Sequence, residues 1–237
     1  MSPDPLGGRL IDPQTLNKYS YVRNNPVTLT DPTGLYTVDC SEGDAKDQRK
    51  CNKASGDFEK QRLKDLKSKH QPVRDAAAAW GGPTDKNGIT VTFKSQAKLD
   101  ADAGNNDPNT HVEAIVGPIP NDNHTPKIPA EFSESLGGSD LQQAIAHEGT
   151  HVQDDMGFLN SYDPWFGFYN PDANFTHFST EMDAYDVGAQ VKPYSFFKEG
   201  DATEKLRKFL YSNPVYKTEM DRPVFDPTVY PQTQLPY

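Results

Sequence analysis

Residues 141–155 read "LQQAIAHEGTHVQDD", with histidines at 147 and 151 and a glutamate at 148. The surroundings predict a helix. Gly137-Gly138 reads as a loop, Ser139 as an N-cap, and Gln142 three places later completes a capping-box pattern. From Asp140 onward there is no proline and one glycine, enough for about four turns. Leu141, Ile145, Val152 and Met156 recur at helical spacing and mark a buried stripe. His147 and His151, at i and i+4, then leave one face a turn apart. Two neutral imidazoles so placed suit one Zn²⁺, with room for a third protein ligand and a water. Glu148 stands where a general base for that water is needed. This is an H-E-x-x-H pattern.

The third ligand must come from elsewhere in the chain. Residues 175–191, "FTHFSTEMDAYDVGAQV", predict a second helix capped by Thr176 or Ser179, with Phe178, Met182, Tyr185 and Val191 on a buried side. Glu181 lies 30 residues past His151, far enough for a loop and a returning helix. His177, Asp183 and Asp186 compete with it, and His177 suits zinc by ligand type. His177 is also one turn from Glu181, so the two can share the site as ligand and oxyanion donor. Tyr185 and Tyr162 are further candidates for that donor.

The H-E-x-x-H at 147–151 followed by "TEMDAYDVG" at 180–188 resembles the gluzincin metallopeptidases. The resemblance implies a zincin-like fold and Glu181 as the third zinc ligand. Tyr185 departs from the thermolysin-like form, which has an aspartate at that position. Val152-Gln153-Asp154-Asp155 after His151 does not continue as the metzincin extension does.

A separate signal stands at the N-terminus. Residues 18–26, "KYSYVRNNP", and 31–35, "DPTGL", sit in a turn-rich, aromatic segment with too few apolar residues for its own core. The segment 4–36 resembles the end of an Rhs (YD-repeat) core. That resemblance implies a carrier shell joined to a C-terminal toxin or effector. It implies self-cleavage at Leu35–Tyr36, with Asp4 and Asp31 as the acids. Read from the residues alone, both aspartates belong to turn-forming Asp-Pro pairs. Without the rest of a shell, this chain is not expected to cleave itself.

Composition bounds the remainder. The 237 residues are 34% hydrophobic, enough for one core, and 20 prolines and 17 glycines imply long loops. No stretch reaches transmembrane length, and no signal-peptide pattern opens the chain. Net charge is −10, and residues 95–200 carry 4 basic against 17 acidic side chains. An acidic catalytic half repels phosphate backbones, which argues against a nuclease. It leans mildly toward cationic segments of a protein substrate. Cys40 and Cys51 can form one disulfide in an oxidising compartment or stay as thiols.

Helices are expected over 44–69, 73–80 and 202–214, and strands over 88–95, 110–117 and 126–133, the last confined to an edge by its prolines. His111 and His124 read as surface histidines. The aromatic stretch 157–175 reads as a loop pinned by its own rings, or as a cleft wall. The expected architecture is α+β: 1–36 the end of an Rhs core, 37–87 a helical linker, 88–237 a zincin-like catalytic domain. The expected function is a zinc peptidase exported as an effector, with a protein or peptide substrate, an immunity protein and the Rhs shell as partners, and neither nucleic acid nor membrane. A zinc amidohydrolase acting on peptidoglycan peptides and a non-enzymatic metal-stabilised binding domain are the alternatives.

Overall fold

The computed structural model describes residues 36–40, 45–81, 87–105, 111–117, 127–194, 202–212 and 220–232. Asp4, Asp31, Leu35 and His124 lie outside the described residues. The described residues are α+β, built around one mixed four-stranded sheet. The elements run β1 (Thr37–Asp39), α1 (Ala45–Asp65), α2 (Gln71–Ala79), β2 (Ile89–Lys94), α3 (Gln96–Asp102) and β3 (Ala114–Val116). They continue as β4 (Ile128–Ser133), α4 (Gly138–Leu159), a short 3₁₀ turn at Pro171–Ala173, α5 (His177–Val191) and α6 (Ala202–Ser212). No helix among the described residues is long and apolar enough to cross a membrane.

Strand order is β1-β2-β4-β3. β2 pairs in parallel with β1 and with β4, whereas β3 runs antiparallel to β4. Parallel neighbours need long crossovers, which α1–α2 and α3–β3 supply. Ile89, Val91 and Phe93 of β2 point into the core and Thr90, Thr92 and Lys94 away from it, the alternation a half-buried strand requires.

β4 corrects an expectation: it is not an edge but lies between β2 and β3. Ile128 N donates to Gly88 O toward β2, so Pro129 faces the β3 side. There Pro129 O accepts from Gly117 N at 3.3 Å, one residue past the end of β3. The missing proline N–H therefore falls where the ladder is already ending. α3 was not anticipated; its seven residues bury only Leu99, so they carry no helical stripe.

The core lies between the sheet and α1, α2 and α4. Phe58 is its hub, with ring centroids 5.4 Å from Tyr36, 5.3 Å from Trp80 and 5.1 Å from Phe132. Residues 37–87, expected as a helical linker, thus put Phe58 and Trp80 into one cluster with Ile145 and Met156 of α4. The Cys40–Cys51 disulfide ties the end of β1 to α1.

Asp65 ends α1 and accepts from Gln142 Nε2 of α4 at 2.6 Å, while its other oxygen is buried without a partner. Burial raises its pKa to about 6. A carboxyl whose folded pKa exceeds its unfolded value costs nothing in acid and destabilises as pH rises from about 4 to 6. Asp65→Asn is therefore expected to be more stable than the parent at pH 7 by about 1–2 kcal/mol, allowing for solvent screening. The gain should vanish near pH 4. Urea unfolding at both pH values checks this, and a gain that grows in acid contradicts it.

Candidate metal centre

The two histidines come from α4. The stripe Leu141, Ile145, Val152 and Met156 is buried as its spacing requires, which turns His147 and His151 toward α5. The helix starts earlier than expected. Its N-cap is Gly137 and makes no side-chain cap bond, so Ser139 does not cap it. Gly138, at φ +57°, turns the chain into the helix two positions sooner, in a conformation that favours glycine. Gln142 is spent on Asp65 instead of a capping box.

α2 crosses α4 at Gly149, inside the H-E-x-x-H stretch. A Cβ there would lie 2.4 Å from Ala76 O and 2.7 Å from Trp80 Nε1. The same Trp80 Nε1 donates to Ile145 O at 3.0 Å and pins α2 to the ligand helix.

α5 brings the third group. Thr176 caps it, its side chain accepting from Ser179 N. At its far end Lys192 pairs with Asp140, and Gln143 Nε2 donates to Lys192 O, so the end of α5 is tied to the start of α4. Glu181 then meets both imidazoles: Oε2 is 3.5 Å from His147 Nε2, and Oε1 is 3.6 Å from His151 Nε2. The three side chains are only 12–14% exposed, and their ligand atoms all lie within 4.8 Å of one another.

Burial and mutual contact shift the charges of the three groups and of Glu148. Glu181 Oε2 is buried with no hydrogen-bond partner. Burial opposes charge on Glu181, but His151 and His147 outweigh it and hold its pKa below the usual range. Burial pushes His151 down to about 4, toward the neutral ligand form. On His147 burial also opposes charge, but Glu181 and then Glu148 raise its pKa. Glu148, 8% exposed, is raised to about 7, mainly by burial. Two imidazole nitrogens and a carboxylate within reach of one point can hold a divalent metal ion.

The structure sorts the other candidates. His177, the first residue of α5, lines the cleft beside the three ligands. Tyr185 packs its ring edge-on against His147, centroids 4.6 Å apart, and does not line the cleft. Tyr162 packs on Tyr169 in the core, also away from the cleft. Asp183 and Asp186 are exposed and outside the ligand group. His111 is exposed and contacts Asp100. The aromatic stretch 157–175 does not wall the cleft. Phe158 and Tyr169 anchor it in the core, and Trp165 is 90% exposed.

Three contributors went unread in the sequence. Tyr194 places its hydroxyl 3.5 Å from His147 Nδ1, behind the ligand. A Cβ on Gly188 would stand 2.3 Å from that hydroxyl, so a glycine inside α5 makes the space. That interior glycine was the available signal, since it costs about 1 kcal/mol against alanine unless packing requires it. Asp155 and Tyr230 also line the cleft, a cavity of about 440 Å³.

No family model, curated protein or solved structure matches this chain.

Glu181→Ala is expected to abolish stoichiometric metal binding, because it removes one of three ligands. Asp183→Ala should leave binding intact. Elemental analysis after dialysis against zinc checks this, and metal retained by Glu181→Ala excludes this ligand set.

Proposed function

We propose that this chain is a zinc-dependent peptidase with a zincin-like fold, serving as the C-terminal effector of an Rhs protein. The observation that carries the catalytic reading is the convergence of Glu181 on both imidazoles of α4, with Glu148 between them in sequence and buried beside the cleft. His147, His151 and Glu181 would hold the ion. Bound there, zinc would supply a Lewis acid that polarises the scissile carbonyl and acidifies the attacking water.

The chain's own groups do the remaining work. Glu148 accepts the proton of the attacking water and passes it to the leaving amine. Tyr194 and Tyr185 fix the ring of His147 from behind and from the side. Of the three candidate oxyanion donors, His177 is the one that borders the cleft.

The cleft also suits an extended chain. Ala114, Ile115 and Val116 of β3 line it, and β3 is the edge of the sheet among the described residues. An extended peptide can add to such an edge by main-chain hydrogen bonds, which presents a peptide bond to Glu148. The Rhs part rests on the motifs at 18–26 and 31–35 alone. The test is cleavage of an unstructured protein by the zinc-loaded chain, followed by mass spectrometry. A zinc-loaded protein that cuts no peptide bond overturns the proposal.

A further inference from the structure

Past the ligands, the same cleft holds a carboxylate that the reaction does not use. Asp155 lies one turn beyond His151 on α4, about 6 Å along the helix axis. It is only 4% exposed and lines the cavity, and no hydrogen bond is among the influences on its charge. Its pKa is raised well above the usual range by burial first, then by Asp154 and Glu148, and no described donor or cation offsets this. Beside it the Tyr230 hydroxyl is also buried and without a hydrogen-bond partner.

A buried carboxylate at the cavity wall and an unpartnered hydroxyl next to it need an explanation, because each costs stability unless something fills its hydrogen-bonding capacity. The rest of the lining narrows what that is. The whole lining contains no lysine or arginine, and five carboxylates, Asp155 among them. Glu148 and Glu181 belong to the metal centre. Asp102 is paired with Lys94, and Asp226 with Thr228. Asp155 is the carboxylate left uncommitted. The lining also includes Val224 and Val229, apolar surface that suits the methylene stem of a long cationic side chain.

We propose that Asp155 and the Tyr230 hydroxyl form a subsite for a lysine or arginine side chain of the substrate. The carboxylate pairs with the ammonium or guanidinium, and the hydroxyl oxygen accepts a second N–H. The subsite lies within reach of a side chain whose backbone passes the metal centre. This assignment of substrate class rests on the peptidase reading, but its test does not.

The first measurement is calorimetric titration of zinc-loaded protein with Nα-acetyl-arginine amide and with its uncharged isostere, Nα-acetyl-citrulline amide. The arginine compound should bind at least about tenfold more tightly. Asp155→Asn should bring that ratio to near one, and Tyr230→Phe should lower it in part. Equal or undetectable binding of the two compounds overturns the subsite, as does a preference that survives Asp155→Asn. The second measurement maps the bonds cut in a peptide mixture. Enrichment of lysine or arginine beside the cut bond supports the subsite. Cleavage without enrichment overturns it and leaves the peptidase standing. Arginine-selective binding by a protein that cuts nothing keeps the subsite and overturns the peptidase.

Discussion

Glu148→Gln is expected to lower the rate of peptide-bond cleavage by about 10²–10⁴-fold while leaving the metal content unchanged. Glu148 is one residue from His147 but is not among the three groups that converge on the metal position. Glutamine has nearly the same shape and can still hydrogen-bond a water. It cannot accept that water's proton near neutral pH, so the base step fails while the scaffold stays. The side chain is 8% exposed, so bulk water cannot readily replace it as the proton acceptor. A purely structural metal site would not respond, because nothing it does needs a proton acceptor at this position. Cleavage of an unfolded protein by parent and variant at equal zinc content decides between them. Equal rates would remove the peptidase reading and favour a metal-stabilised binding domain.

The largest expected effect on stability is that of Gly149→Ala, a loss of about 2–4 kcal/mol. The added Cβ would meet Ala76 O at 2.4 Å, Ala76 C at 2.9 Å and Trp80 Nε1 at 2.7 Å. Two of those atoms are backbone and cannot swing aside, so α2 must lift from α4. Lifting it strains the bond from Trp80 Nε1 to Ile145 O and opens the packing of Ala76 on Ala146. Gly157, on the same helix, is the control. A Cβ there meets nothing within 4 Å, so Gly157→Ala should be neutral or gain about 0.5–1 kcal/mol. Thermal and urea unfolding of the two variants measures the contrast. Similar stabilities would show that the helices do not cross this closely.

Sequence and structure agree where the signal is local. The stripe on α4 and the i, i+4 histidines follow from one helical period, and Glu181 of the second helix lies within reach of both. The alternation in β2 was equally readable. What was not legible depends on which distant segments meet. Pro129 pointed to an edge, but the ladder happens to end beside it. Gly149 looked like a tolerated helix residue, because nothing local announces α2 passing over it. Nothing local to Asp155 shows that it shares a cavity with Val229 and Tyr230 of a distant segment. The α4 cap was misplaced by two positions, since a glycine of positive φ can start a turn that a serine usually starts.

The Cys40–Cys51 bond has a mechanical consequence. Tyr36 is fully buried, with its hydroxyl on Glu59 of α1, so the chain enters the core at the first described residue. A pull at this end first meets the three-residue ladder of β1 on β2. Past Cys40 the tension passes through sulfur into α1 and bypasses the chain between the two cysteines. Drawing the domain out from this end would therefore show a shorter first extension in the oxidised protein than in the reduced one. The difference is the contour of the 11-residue sequence separation the bond spans, roughly 35–40 Å at full extension less the width of the bond itself.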